Sequence, residues 1–345
     1  MKNSTLLIAA AVLPALALAM LDVDVLRAEP PSASSETSHG PATGQIHLVQ
    51  YRKTPSFFLG NATIPVNEIR GGGPPKDGIP ALTNPPAIAA REAGYLIPAD
   101  RVIGVVSGKE SRAYPLKILV HHEVVNDSLG GVPIAVTYCP LCDSVAVFDR
   151  RTELGEREFG VSGLLYNSKV LMYDRGGRPE GLWSQMMGGG VSGPAAGKAL
   201  KTLPTELTAW QDWLARHPET TVLSNRTGHA RNYQANPYQK YFSTPNLMFP
   251  VRPMDRRLPA KTAVLGIRTD GAARAYVVSA FGPESRTLEQ DLGGHKFTLK
   301  YDSKANSLRV MKAEEGLQWM YSYWFGCNRP SAIAECVMRL GVMKF

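Results

Sequence analysis

Cysteine is scarce in this chain, at 4 of 345 residues. That excludes a small disulfide-dense scaffold and leaves the four as either a site or one or two staples. No basic run exceeds the pairs Arg150-Arg151 and Arg256-Arg257. With Lys and Arg otherwise spread along the chain, the net charge of +8 reads as a solvated basic surface; loose attraction to an anionic membrane is compatible with it. No nucleic-acid-binding motif is present, so no nucleic-acid partner is expected. H-E-x-x-H and G-x-G-x-x-G are absent. Residues 193–199 are one residue short of a P-loop and lack the Ser or Thr after Lys198, and residues 160–164 fail G-x-S-x-G at Leu164. The 32 Gly and 26 Pro follow no period, which rules out collagen-like and wholly disordered chains.

What is present begins with a targeting pattern. Lys2 precedes an apolar run over residues 6–21, interrupted only by Pro14, with Ala17-Leu18-Ala19 or Ala28 as cleavage positions. The run is shorter than the ~20 residues that span a bilayer. Residues 1–28 are therefore expected to be a signal peptide, or alternatively an uncleaved anchor that associates the protein with a membrane. Residues 29–44 are Pro/Ser-rich and read as a flexible linker. Residues 45–345 form the body, expected to work in the periplasm or elsewhere outside the cytoplasm, where thiols can oxidise.

Most of the body reads as short strands. Residues 101–106, 112–118, 132–138, 145–149 and 169–173 are rich in Val, Ile and Tyr and separated by turn residues. One helix interrupts them: Leu207, Trp210, Trp213 and Leu214 recur at helical spacing, Thr208 and Gln211 form a capping box, and Pro218 stops it. An internal repeat also stands out. Val102-Ile-Gly-Val-Val with Arg112-Ala-Tyr114 matches Val264-Leu-Gly-Ile-Arg with Arg274-Ala-Tyr276, and Leu129-Gly-Gly131 matches Leu292-Gly-Gly294. The expected fold is mainly β with a few helices, built as two related barrel- or sandwich-like halves over about 100–175 and 262–325. The first half carries Cys139-Pro-Leu-Cys142 where the second has Asp302-Ser-Lys304, so the site is expected in the first.

A C-x-x-C after a strand can form a disulfide, exchange with one, or bind a soft metal. Pairing of the strands flanking Gly130-Gly131 brings residues near His122 beside Cys139, which makes His122 the natural third ligand. Copper suits two thiolates and an imidazole; zinc fits less well, since a structural zinc site wants four ligands and no second C-x-x-C exists. Cys327 and Cys336, nine positions apart, read as a local disulfide.

Several motifs together resemble the DUF3179 family, a domain of unknown function found largely in exported proteins: Asp77-Gly-Ile-Pro-Ala81, His122-Glu-Val-Val-Asn-Asp127, Val136-Thr-Tyr-Cys-Pro-Leu-Cys142, the stretch from Phe159 through Asn167-Ser168 to Met172-Tyr-Asp-Arg175, and Leu182-Trp-Ser-Gln185. The resemblance runs from about residue 50 to about 325. It implies export and groups these motifs, but it implies no reaction. The chain departs from the family pattern at Trp324-Phe-Gly-Cys-Asn-Arg-Pro330. Three readings follow, in order: a soft-metal site of Cys139, Cys142 and His122, most plausibly for copper; a thiol–disulfide oxidoreductase using Cys139 and Cys142; and a non-catalytic binding or structural module with cysteine staples. The partner is a small molecule, a metal or a redox protein.

Overall fold

The computed structural model describes residues 57–327. The expected signal (1–28), the linker (29–44) and Cys336 lie outside these residues. The central sheet has seven strands in the spatial order Ala273–Val277, Ala263–Arg268, Gln318–Tyr323, Ser144–Asp149, Val132–Cys139, Val124–Leu129 and Leu82–Thr83. Its middle strand, Ser144–Asp149, is buried at every position, as an apolar run covered on both faces should be. A five-stranded sheet (Thr205–Ala209, Arg101–Ser107, Glu110–Pro115, Thr221–Leu223, Ala87–Ala89) and a second of the same size, around Glu158–Tyr166 and Lys169–Arg175, flank it. Arg286–Leu292, His295–Asp302 and Ser307–Ala313 make a three-stranded sheet, and Arg151–Thr152 pairs with Gly155–Glu156. His295–Asp302 alternates, burying Phe297, Leu299 and Tyr301 and leaving the residues between them partly or fully exposed.

The hairpin joining Val124–Leu129 to Val132–Cys139 turns at Gly130 and Gly131, both at positive φ, with Leu129 opposite Val132. A two-residue turn of this hand follows the right-handed strand twist and favours glycine. At Gly130 glycine is also required by space, because a Cβ would stand 2.3 Å from the carbonyl oxygen of Ser107.

The fold is mostly β with few helices, but the expected pair of duplicated barrel- or sandwich-like halves is not there. Every sheet among the described residues is open. The likeness between the repeats stops at single hairpins: Ile103 faces Tyr114 as Leu265 faces Tyr276. The first hairpin belongs to a five-stranded sheet and the second to the central sheet, while Val124–Leu129 lies in the central sheet and its counterpart Arg286–Leu292 in the three-stranded one. One apolar core joins both supposed halves, packing Ile103, Tyr114 and Val136 with Leu265, Phe297 and Leu299. A local hairpin pattern recurs in the sequence, whereas sheet assignment is decided by long-range packing that the pattern does not encode.

The helix is Trp210–Arg216, with Trp210 and Trp213 buried as core. The capping box does not form. Thr208 lies in the strand Thr205–Ala209, and its hydroxyl donates to Asp212 instead (2.8 Å). Residues 225–262 run as a long strap between Thr221–Leu223 and Ala263–Arg268, irregular apart from Gln239–Phe242. Side chains from the domain tie it down: Tyr233 meets His122, the Tyr241 hydroxyl donates to the Leu141 carbonyl, and Asn167 exchanges two hydrogen bonds with the Arg252 backbone. Among the described residues, no helix is long and apolar enough to cross a membrane.

Candidate functional site

Cys139 ends one central strand and pairs with Ser144 at the start of the next, so residues 140–143 form a tight loop between them. Asp143 closes the loop in left-handed backbone (φ 47°). Both sulfurs are sealed in a cluster with Phe148, Phe159, Trp183 and Phe325, at 1% and 0% exposure. Burial raises the Cys139 thiol well above its ordinary value. Burial acts on Cys142 in the same sense, but the Cys139 thiol and the charge of buried Lys169 outweigh it and hold Cys142 below the ordinary value.

A directed hydrogen-bond chain locks this loop. The Gln185 amide donates to Thr137 Oγ1 (3.0 Å) and to the Ser144 carbonyl (3.2 Å), which turns its oxygen towards Ser144. The Ser144 hydroxyl donates to that oxygen (2.6 Å), and Thr137 donates onward to the Ala146 carbonyl (2.7 Å). With its proton committed to Gln185, Ser144 accepts from the Cys142 thiol at 3.1 Å whenever that thiol is protonated.

Neither the metal site nor the thiol–disulfide centre survives this geometry, and a Cys139–Cys142 staple for the third reading fails with them. Cys139 and Cys142 are unbonded thiols, and neither is open to an exchange partner. Among the described residues no three His, Cys, Asp or Glu side chains converge to hold a metal, which removes copper and zinc alike. His122 shows why. The expected backbone proximity exists, since the Tyr138 amide donates to the Glu123 carbonyl (2.8 Å). The imidazole, however, points away from the sulfurs: Nδ1 donates to the Pro80 carbonyl (2.7 Å) and Nε2 accepts from the Tyr233 hydroxyl (2.7 Å). Burial lowers its pKa to about 4, against the Pro80 carbonyl, so the ring is neutral. Glu123, in left-handed backbone at φ 58°, is the side chain that burial places near Cys139, and its carboxyl is raised well above the usual range. The Cys327–Cys336 staple has one end outside the described residues.

The cysteine loop has an outer side. Asp143, directly after Cys142, accepts two hydrogen bonds from the Arg101 guanidinium (3.1 and 2.9 Å) and one from the Tyr138 hydroxyl (2.9 Å). The Tyr323 amide donates to the Cys142 carbonyl (2.7 Å). Arg101, Asp143 and Tyr323 line a cleft of about 620 Å³ where the central, the five-stranded and the three-stranded sheets meet. Its other walls include Thr208, Lys261, Ser279, Asn306, Ser307 and Tyr321. The volume falls within the usual range of small-ligand sites.

Two features of the cleft are chemical. First, its described walls carry two cations, Arg101 and Lys261, against the one carboxylate of Asp143. Burial opposes the Arg101 charge, but Asp143 outweighs it, and the side chain stays half exposed to the cleft. Second, Ser307 and Tyr321 are 3% and 5% exposed; their hydroxyls are sealed beneath the cleft wall and, among the described residues, neither makes a well-formed hydrogen bond, with the Leu207 amide lying beside that of Tyr321.

The sequence reading named none of Arg101, Asp143, Ser307 or Tyr321. The one available signal was adjacency: Asp143 follows the C-x-x-C directly. The expectation that the site lies in the first half also hid the later segment's share of the walls.

Comparison with known proteins gives one family. The model described as "Protein of unknown function (DUF3179)" matches residues 76–324. No curated protein and no solved structure matches the chain. The chain belongs to the DUF3179 family.

Proposed function

We propose that this DUF3179 member binds a small, polar, negatively charged molecule in the cleft between the Arg101–Asp143 pair and the strand Gln318–Tyr323. The observation that carries the reading is the half-exposed Arg101 guanidinium, held by Asp143 at a cleft of about 620 Å³ whose described walls carry two cations against one carboxylate. That guanidinium spends two donors on Asp143 and has donors left for a carboxylate or phosphate. In this reading the buried cysteines are architectural. They hold the loop that presents Asp143, and Asp143 in turn aims Arg101. The apolar run at residues 6–21 makes the domain an exported one, meeting its ligand outside the cytoplasm.

The test is a thermal-shift screen of small carboxylates, sugar acids and organic phosphates, followed by calorimetry on any that raise the melting temperature. Arg101→Ala is expected to weaken binding at least about tenfold, the worth of a lost charge-assisted contact. A ligand bound equally well by wild type and Arg101→Ala, or no anionic compound bound at all, overturns the reading.

A further inference from the structure

The basic residues, scattered in pairs along the sequence, are not scattered in their effect. The strap of residues 225–262 holds seven Lys and Arg against the single carboxylate of Asp255, or six of the chain's eight net positive charges in about a ninth of its length. Arg257 is paired with Asp255 and lies over the Trp324 ring, and Lys261 is tied to the carbonyls of Tyr241 and Thr244. The other five, Arg226, Arg231, Lys240, Arg252 and Arg256, are exposed and form no ion pair with any described residue. Between them the strap presents Met248, 54% exposed, flanked by half-buried Leu247 and Phe249 and then Pro250. Burying an exposed methionine beside half-covered aromatics is favourable only against an apolar phase.

We propose that the strap is a docking surface for an anionic phospholipid bilayer, with these five exposed cations on the headgroups and Met248 entering the interface. Exposed cations carried on one segment with an exposed apolar residue are the composition of interfacial membrane contacts, in which charge attracts and the apolar group anchors. A polynucleotide would satisfy the cations equally, but it offers nothing to Met248 and calls for aromatic platforms for its bases, and the aromatics of the strap are half-buried or buried. An apolar N-terminal run acting as signal or anchor would bring the domain to such a surface.

The experiment is vesicle co-sedimentation of the full chain with phosphatidylcholine alone and with phosphatidylcholine containing about a third phosphatidylglycerol, in low salt and in about 0.5 M NaCl, where charges are screened within a few ångström. Binding by the N-terminal run is common to both vesicle types, so the difference between them reads the strap. The expected result is at least about tenfold stronger binding to the anionic vesicles in low salt, most of it lost in high salt. Arg252→Glu/Arg256→Glu, with an unchanged thermal melt, should cut that preference several-fold. Met248→Ser, which removes the apolar group without adding charge, should weaken binding to anionic vesicles without changing its salt dependence. Equal binding to both vesicles, a preference that survives the charge reversal, or displacement by inorganic phosphate at millimolar concentration overturns the proposal. Tighter binding to a single-stranded oligonucleotide than to anionic vesicles does so as well.

Discussion

Arg101, in a strand of the five-stranded sheet, and Asp143, in the loop between two central strands, meet through two hydrogen bonds of 3.1 and 2.9 Å in the wall of the cleft. The carboxylate is buried and the guanidinium half exposed, so solvent screens one end of the pair only. Asp143→Asn keeps the shape, and asparagine tolerates the left-handed backbone at φ 47°. The amide cannot accept all three hydrogen bonds that converge on the carboxylate, which predicts a loss of about 1–3 kcal/mol in urea unfolding. Asp143→Ala should cost about a further 1 kcal/mol for the backbone. An Asp143→Asn midpoint equal to wild type would show that the pair contributes nothing to stability.

Gln185 is the hub of the buried chain behind the cleft. Gln185→Leu removes the acceptor of the Ser144 hydroxyl and the donors to Thr137 and the Ser144 carbonyl at once. The expected cost is about 2–4 kcal/mol, because the groups left behind are sealed from water. Ser144→Ala in the Gln185→Leu background should then cost less than it does alone, since its partner is already gone. Strict additivity in the double-mutant cycle is the result that contradicts the chain.

How much of this could be read from sequence depends on the range of each interaction. Val132–Cys139 and Ser144–Asp149 were legible because Val, Ile and Tyr runs bounded by Gly-Gly and a tight loop declare strands locally. The proximity of the His122 region to Cys139 was legible for the same reason, from hairpin pairing alone. The direction of the His122 ring was not. It is decided by the Pro80 carbonyl and by Tyr233, 42 and 111 positions away. Thr208 shows the same limit: a good cap motif lost its role because pairing with Val102 drew it into a strand. The cleft lies at the junction of three sheets, and Ser307 and Tyr321 in its walls are ordinary strand residues until the fold buries them.

His122 and Glu123 should bend the stability curve in opposite senses. His122 titrates at about 4 in the folded chain, below its ordinary 6.5, because burial disfavours the charged ring. The unfolded chain therefore takes up the proton first. The His122 contribution is complete above pH 6.5 and is lost as pH falls to about 4, by up to about 3 kcal/mol. Glu123 is raised above its ordinary value by burial, with Cys139 adding to it, so its folded form holds the proton longer. Its contribution is complete below the ordinary carboxyl range and is lost as pH rises from that range through the raised folded value. Glu123→Gln should thus be more stable than wild type at pH 8, by on the order of 1 kcal/mol or more, and show a steeper loss between pH 6.5 and 4. Urea unfolding at half-unit pH steps measures both. A Glu123→Gln protein less stable than wild type at pH 8 would mean that the carboxylate is charged and paired.

Asn167 holds the strap to the domain. Its side chain donates to the Arg252 carbonyl (2.9 Å) and accepts from the Arg252 amide (2.7 Å), which matches a backbone pair on both sides. It does so from left-handed backbone at φ 52°, in the turn it shares with Ser168. Asn167→Gly keeps that turn, since glycine takes the conformation freely, and deletes only the two hydrogen bonds. The strap is irregular for most of its length, so each tie carries a large share of its order. Amide hydrogen exchange at Val251 and Arg252 should accelerate about tenfold or more, as loss of about 1.4 kcal/mol of local stability implies. Exchange in the central strand Ser144–Asp149 should not change, because opening there requires the whole domain to unfold. Acceleration in both places would mean that the strap and the core open together, and that Asn167 supports the fold as a unit rather than the strap alone.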